Sequence, residues 1–371
     1  MPLHLPRALA LLTLPTLCFA QDLDSLFAPL ASAKTPGLAV LVRQNGRAIY
    51  QHGFGARDLR TLAPIDAATN FRLASFTKQF TAMSVMLLVH DGKLRYDTPL
   101  TTVFPDFPAW GRAITIRHLL THTSGLPDYE DLMAGGPWTA QRQIQDGEAL
   151  ALLKRQPRPK FAAGTNWSYS NSGFVVLGLI VAKVSGESFP EFLRNRIFTP
   201  LGMTRTLAFV KGANTIPDRA WGHTLREGRF VETDQSSTSA TLGDGGVYSN
   251  LDDLARWDNA LAHHTLLSEA GMRPALTPAT LAGGASTRWP REPGGDNLAP
   301  GKPVSYGFGW FLDPYRDRAR MWHTGTTTGF RTVIERFPGQ KLTIVIQANR
   351  TDLDVAALAL KAADRLLSPV R

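Results

Sequence analysis

The chain has 371 residues, 43% hydrophobic and 19% charged, which excludes a disordered or fibrous protein and allows a large buried core. Its formal net charge of +9 is carried by scattered basic residues with no basic block interleaved with aromatics, so nucleic acid is not an expected partner. A single cysteine, Cys18, excludes an internal disulfide and a thiolate metal cluster.

In chain order, Met1 to Ala20 comes first: Arg7, an apolar run from Ala8 to Leu17, and Cys18-Phe19-Ala20 as a small-residue cleavage pattern. This reads as a secretory signal peptide, and the apolar run is too short for a stable membrane span. Cleavage there removes the only cysteine and with it any cysteine nucleophile. A periplasmic or secreted location is expected, and residues 21–371 are expected to form one catalytic unit with two lobes.

Leu23 to Leu30 has helical spacing. Gly37 to Val42 and Arg47 to His52 read as two strands joined by Gln44-Asn45-Gly46, an Asn-Gly turn between β-rich runs being a strong hairpin signal. From Thr77 to His90 the pattern is helical, with Phe80, Met83, Met86 and Leu87 on one stripe and Asp91-Gly92 as the stop. Val85, Leu88 and Val89 fill most of the other faces, so this helix is expected inside the protein. Between Ala113 and His263 several helical patterns alternate with loops, and Ala282 to Pro303, dense in Gly and Pro, reads as a surface loop. Thr332 to Phe337 and Leu342 to Gln347 form a second hairpin pattern around Pro338-Gly339, and a helix from Val355 to Leu367 follows. Strands at both ends around a mainly helical insertion predict one sheet built from the two termini.

Three clusters carry chemistry. Ser75 and Lys78, three apart at a helix start, face the same way, so a hydroxyl and an amine can meet where free backbone N–H groups favour negative charge. A serine needs such a partner, because a free hydroxyl is a poor nucleophile at neutral pH. Tyr169 and Asn171 lie two apart before the apolar run Phe174 to Val181, and in extended chain both would line one cleft. Met321-Trp322-His323-Thr324-Gly325-Thr326 reads as a strand turning polar, where Gly325 would let a substrate backbone come close.

In this order the clusters resemble the Ser-x-x-Lys, Tyr-x-Asn and Lys- or His-Thr-Gly signatures of the serine β-lactamase and penicillin-binding-protein superfamily. That superfamily includes class C β-lactamases, D,D-peptidases and related esterases and D-aminopeptidases. The likeness extends to His118 to Leu126, Gly245 to Ser249 and Tyr306 to Trp310, and so covers nearly all of the chain after residue 20. It implies a mixed α/β (α+β) fold, β-lactamase/transpeptidase-like: an antiparallel sheet from both termini, flanked by helices, against an all-helical lobe. It also implies a serine hydrolase working through an acyl-Ser75 intermediate on a peptide, amide or ester, with Lys78 and Tyr169 managing the proton in an order left open.

By the same resemblance Asn171, His323, Thr324, Gly325 and Thr326 bind substrate, and the N–H groups of Ser75 and Thr326 form the oxyanion hole. His323 stands where most β-lactamases of this type have lysine. A largely neutral histidine holds a substrate carboxylate less firmly, which favours a D,D-peptidase, D-aminopeptidase or esterase over a class C-type β-lactamase; a penicillin-binding sensor without turnover is a separate alternative. His323 is expected to touch the substrate beyond the scissile bond. His118 and His122, four apart, have no third ligand at a telling distance, so no metal and no cofactor is expected. The partner is a small-molecule or peptide substrate shaped by Asp128 to Arg142 and Ala213 to Leu242; the sequence sets no oligomeric state.

Overall fold

Leu342–Ala348 is apolar along almost its whole length, the pattern of a strand covered on both faces, and it lies at the centre of a five-stranded sheet. In the computed structural model, which describes residues 22–292 and 297–367, the sheet holds β1 (Leu38–Gln44), β2 (Arg47–Phe54), β3 (Met321–Thr327), β4 (Phe330–Phe337) and β5 (Leu342–Ala348). The order is β3-β4-β5-β1-β2, antiparallel throughout, with Leu41 of β1 opposite Val345 of β5. The two ends of the chain thus build one sheet. The signal-peptide reading of Met1 to Ala20 lies outside the described residues.

Local chemistry explains the hairpins. Asn45 (φ 52°) and Gly46 (φ 78°) both take the left-handed conformation that a two-residue turn between β1 and β2 requires. The β4–β5 connection closes through Pro338–Gln340 and Lys341 at φ 47°.

Side-chain alternation gives the sheet two faces. Leu38, Val40, Val42, Val333, Ile344 and Ile346 pack under α4 (Val355–Leu366) and against Leu23 and Phe27. On the other face, Ala39, Leu41, Ile334 and Val345 meet the larger core that contains α1 (Lys78–His90), α2 (Asn171–Ser185) and α3 (Leu251–Ala262). α1 is buried over 78–88, as its sequence predicts, its few polar side chains bonded inside the protein, and it packs on α2. Over its described residues Ala282 to Pro303 runs as a mostly exposed loop, as its composition predicts, but it is pinned down by Trp289, which is buried, edge-on to Trp167 at 4.8 Å between ring centroids. Among the described residues no single helix is long and apolar enough to cross a membrane.

One buried acid in the sheet makes a prediction. Glu335 of β4 is 1% exposed, and burial pushes its carboxyl up to about 8, with Asp313 adding to the rise and Arg320, 3.6 Å away, opposing it. The folded state therefore keeps a proton that the unfolded state releases near 4.5, so stability falls as pH rises from about 4.5 through about 8. Glu335→Gln removes this loss. Thermal melts should show the variant gaining on the wild type between pH 5 and pH 9, by on the order of 4 kcal/mol; a gap that does not change with pH rejects a neutral Glu335.

Candidate active site

Ser75 lies in a 3-10 turn, Ala74–Thr77, that runs directly into α1, and in such a turn side chains three apart eclipse one another. Ala74 enters the turn at φ 49°, a strained conformation for a non-glycine residue. The strain is held by neighbours: Leu73 N–H donates to Val247 O (2.9 Å), and Val247 N–H donates to Thr77 Oγ1 (3.2 Å). Arg72 donates to Ser239 Oγ, to Ser239 O (3.2 Å) and to Gly245 O (3.3 Å), strapping the segment 239–245 alongside.

Lys78 is fully buried. Its Nζ donates to Ser75 Oγ at 2.9 Å, to Asn171 Oδ1 at 2.8 Å and to Asp244 O at 3.0 Å. It lies 4.9 Å from the ring centroid of Tyr169 and 5.5 Å from that of Phe174, aromatic faces that offset part of the desolvation of a cation. A backbone carbonyl and an amide oxygen can only accept, which makes the direction toward Ser75 the informative one. There an ammonium donates to Oγ, whereas a neutral amine would present its lone pair to the serine proton. The arrangement can activate a hydroxyl nucleophile.

Asn171 is the first residue of α2, and the cap before it, Ser170, accepts from Gly173 N–H at 3.1 Å. Gly243 crosses α2 so closely that a Cβ on it would stand 2.2 Å from Phe174 O; this crossing brings the Asp244 carbonyl to Lys78. A cleft of about 330 Å³ opens above Ser75, lined by Asn171, Ser237, Thr241, Asp244, Thr326 and Thr328 among others. A second arm of about 310 Å³ shares Asn171 and Glu130 and extends along Tyr169, Asp128, Asp131, Lys160, Trp289 and Glu292.

The third cluster needs correction. His323 is 1% exposed, and burial, reinforced by Lys78, pushes it down to about 3. Its Nδ1 donates to Thr324 O (2.6 Å), so Nε2 is left to accept from the Tyr306 hydroxyl (3.1 Å). With both ring nitrogens bonded inside the protein, His323 supports the site from behind and does not reach substrate beyond the scissile bond. Gly325 also faces inward: a Cβ there would stand 2.0 Å from Leu73 O, so the missing side chain lets β3 approach the serine-bearing segment, not a substrate. Thr324 faces a different cavity, together with Trp322 and Asp352. Of residues 323–326 only Thr326 lines the cleft above Ser75.

Sequence reasoning missed several contributors. The Asp244 carbonyl, Glu130, whose carboxylate accepts from Asn171 Nδ2 at 3.4 Å, and Tyr306 had no role assigned, although Asp244 and Tyr306 lie within or beside segments that carried the resemblance. Trp289 on the second arm gave no signal beyond being a lone tryptophan.

A fully buried lysine whose Nζ lies 2.9 Å from a serine hydroxyl on the turn into α1 puts an amine beside a nucleophile at the floor of a cleft. The Beta-lactamase family matches residues 23–367, and the chain belongs to that family. It is 30% identical to a penicillin-binding protein of Bacillus subtilis (strain 168), over 94% of this chain and 76% of that one. It is 27% identical to a D-aminopeptidase of Gluconobacter oxydans (strain 621H), over 85% of this chain and 56% of the relative. The structure of a penicillin-binding protein from Bacillus halodurans superposes with a TM-score of 0.73 at 26% identity, covering 95% of this chain and 99% of the other. The fold is that of the β-lactamases and penicillin-binding proteins, and the protein is a serine hydrolase.

Proposed function

We propose that the protein hydrolyses an amide, peptide or ester of a D-amino acid whose amine is free, through an acyl-Ser75 intermediate, outside the cytoplasm. The carrying observation is the 2.9 Å hydrogen bond between Lys78 Nζ and Ser75 Oγ at the floor of the cleft. In the reaction Ser75 Oγ forms a bond to the carbonyl carbon while Lys78 takes the hydroxyl proton. Tyr169 passes a proton to the leaving amine or alcohol as the acyl C–N or C–O bond breaks and is restored by the proton Lys78 took; water then attacks the acyl carbon, giving its proton to the same pair, which returns one to Ser75 Oγ as the acid leaves. Asn171 holds both Lys78 and the substrate amide. Backbone N–H groups of Ser75 and Thr326 receive the developing oxyanion, each donor contributing about 3 kcal/mol.

Charge favours an amine over a carboxylate at the substrate's free end. The second arm presents Asp128, Glu130, Asp131 and Glu292 against Lys160, whose Nζ is already 3.7 Å from Asp131. In the first arm Arg72 is committed to Ser239 and Gly245, and His323, buried behind the arm, is neutral. This is a poor reception for the carboxylate of a penicillin or a peptide C-terminus. It suits a D-aminopeptidase-like or esterase-like substrate, and a class C-type β-lactamase is the second reading. Two measurements test the proposal. Fluorophosphonate labelling with mass spectrometry should place the adduct on Ser75, and a label elsewhere overturns the nucleophile. D-alanine p-nitroanilide should exceed its N-acetyl analogue and a chromogenic cephalosporin in kcat/KM by about tenfold or more; preference for either of the other two overturns the free-amine reading.

A further inference from the structure

Tyr169 is the one member of the proposed proton-handling set that sits on no regular element, and the structure shows what holds it. The backbone N–H of Ser168, one residue before, donates to the carbonyl of His122 at 2.9 Å. The backbone N–H of Ser170, one residue after, donates to Nδ1 of the same histidine at 3.0 Å. The imidazole itself lies against the phenol, ring centroids 4.4 Å apart. One residue, 47 positions earlier in the chain, therefore grips both flanks and the ring of Tyr169.

The grip is built rather than incidental. His122 is fully buried among Trp167, Phe174 and Tyr306, with ring centroids at 5.8, 5.2 and 4.5 Å. It stands at φ 59°, a left-handed conformation that non-glycine residues adopt rarely, Asn, Asp and His most readily. That conformation turns its carbonyl and its side chain toward the same strand of chain. Accepting at Nδ1 requires the neutral imidazole protonated at Nε2, and that nitrogen has no hydrogen-bond partner among the described residues. Burial, with Lys78 and His323 nearby, holds the ring neutral and so keeps the acceptor in place.

We propose that His122 is a positioning residue for the reaction, fixing the Tyr169 phenol through two hydrogen bonds that flank Tyr169. The proposal rests on the assignment of Tyr169 to proton handling, and the test separates the two. His122→Phe keeps a ring and removes the acceptor; His122→Asn keeps an acceptor near the Nδ1 position and tolerates the left-handed backbone while losing the ring. With D-alanine p-nitroanilide or a p-nitrophenyl ester as substrate, His122→Phe should lower kcat by roughly 100-fold, the scale of a 1 Å misplacement, with KM changed by less than about threefold. His122→Asn should retain kcat within about fivefold of the wild type, whatever the effect of the Phe variant on folding.

The same His122→Phe substitution is then made in a Tyr169→Phe background. A positioning role predicts that the second loss nearly vanishes, to about threefold or less, because there is no hydroxyl left to place. An undiminished loss in that background means that His122 supports the fold in general and overturns the proposal. So does a His122→Asn variant that melts like the wild type yet has lost as much kcat as His122→Phe. If Tyr169→Phe alone leaves kcat unchanged, it is the assignment of Tyr169 that fails, and the inference with it.

Discussion

Lys78→Ala is expected to abolish measurable turnover, with acylation of Ser75 slowed by about 1,000-fold or more for every substrate type, since general base assistance contributes 10²–10⁴ and Lys78 is the amine bonded to Oγ. The effect should be independent of the leaving group and of the substrate's charge, because Lys78 is buried on the protein side of the serine. Stopped-flow acylation by a p-nitrophenyl ester and by a D-amino acid p-nitroanilide measures it directly. The fold should survive: losing the ammonium leaves Asn171 Oδ1 and Asp244 O without this donor, at about 1–3 kcal/mol each. A Lys78→Ala enzyme that acylates within tenfold of the wild type on the activated ester and on the amide would pass the role of base to Tyr169.

This buried lysine was legible in the sequence, and so was the helix that carries it. The spacing of Ser75 and Lys78 needs only the geometry of one turn, and α1 is read as buried because Val85, Leu88 and Val89 leave it no polar face. The hairpins were legible for a similar local reason, since Asn45-Gly46 specifies its own turn. The strand order β3-β4-β5-β1-β2 was not, beyond the expectation of one sheet from both termini, because pairing partners some 300 residues apart leave no local trace.

The site shows the same division. A pattern search finds side chains at fixed spacing, but one acceptor beside Lys78 is the carbonyl of Asp244, and backbone atoms carry no residue signature. His323 and Gly325 were read as substrate-facing because strand alternation by itself does not say which face is inside. The packing of Leu73 and Tyr306 decides that question, and both arrive from elsewhere in the chain. His122 was weighed only as half of a metal pair with His118; its grip on residues 168–170 depends on a left-handed backbone that no periodicity announces.

The largest effect on stability is expected far from the cleft, at Asp258 of α3. Its carboxylate binds Arg43 NH1 of β1 at 2.7 Å and Arg336 Nε of β4 at 2.8 Å, and Thr343 Oγ1 of β5 donates to it at 2.7 Å. All three charged side chains are at most 10% exposed, so this one acid joins α3 to three strands of the sheet. Breaking a buried ion pair by removing one partner costs about 3–5 kcal/mol, because the remaining charge stays desolvated, and here two guanidiniums are left. Some relief remains: Arg43 keeps Ala255 O and Gly46 O, and Arg336 keeps the backbone carbonyl of residue 258. Asp258→Ala should therefore lose about 4 kcal/mol in urea unfolding, while Asp258→Asn, whose amide oxygen can still accept from Arg336 Nε and Thr343 Oγ1 but not from Arg43 NH1, which binds the other carboxylate oxygen, should lose about half as much. The kcat of the molecules that remain folded should be unchanged, since none of these residues lines either arm of the cleft. Replacing Asp258, Arg43 and Arg336 together by apolar residues of similar volume should recover most of the loss. Asp258→Ala at below about 1 kcal/mol would mean that the arginines swing out to water and that apolar packing alone holds α3 on the sheet.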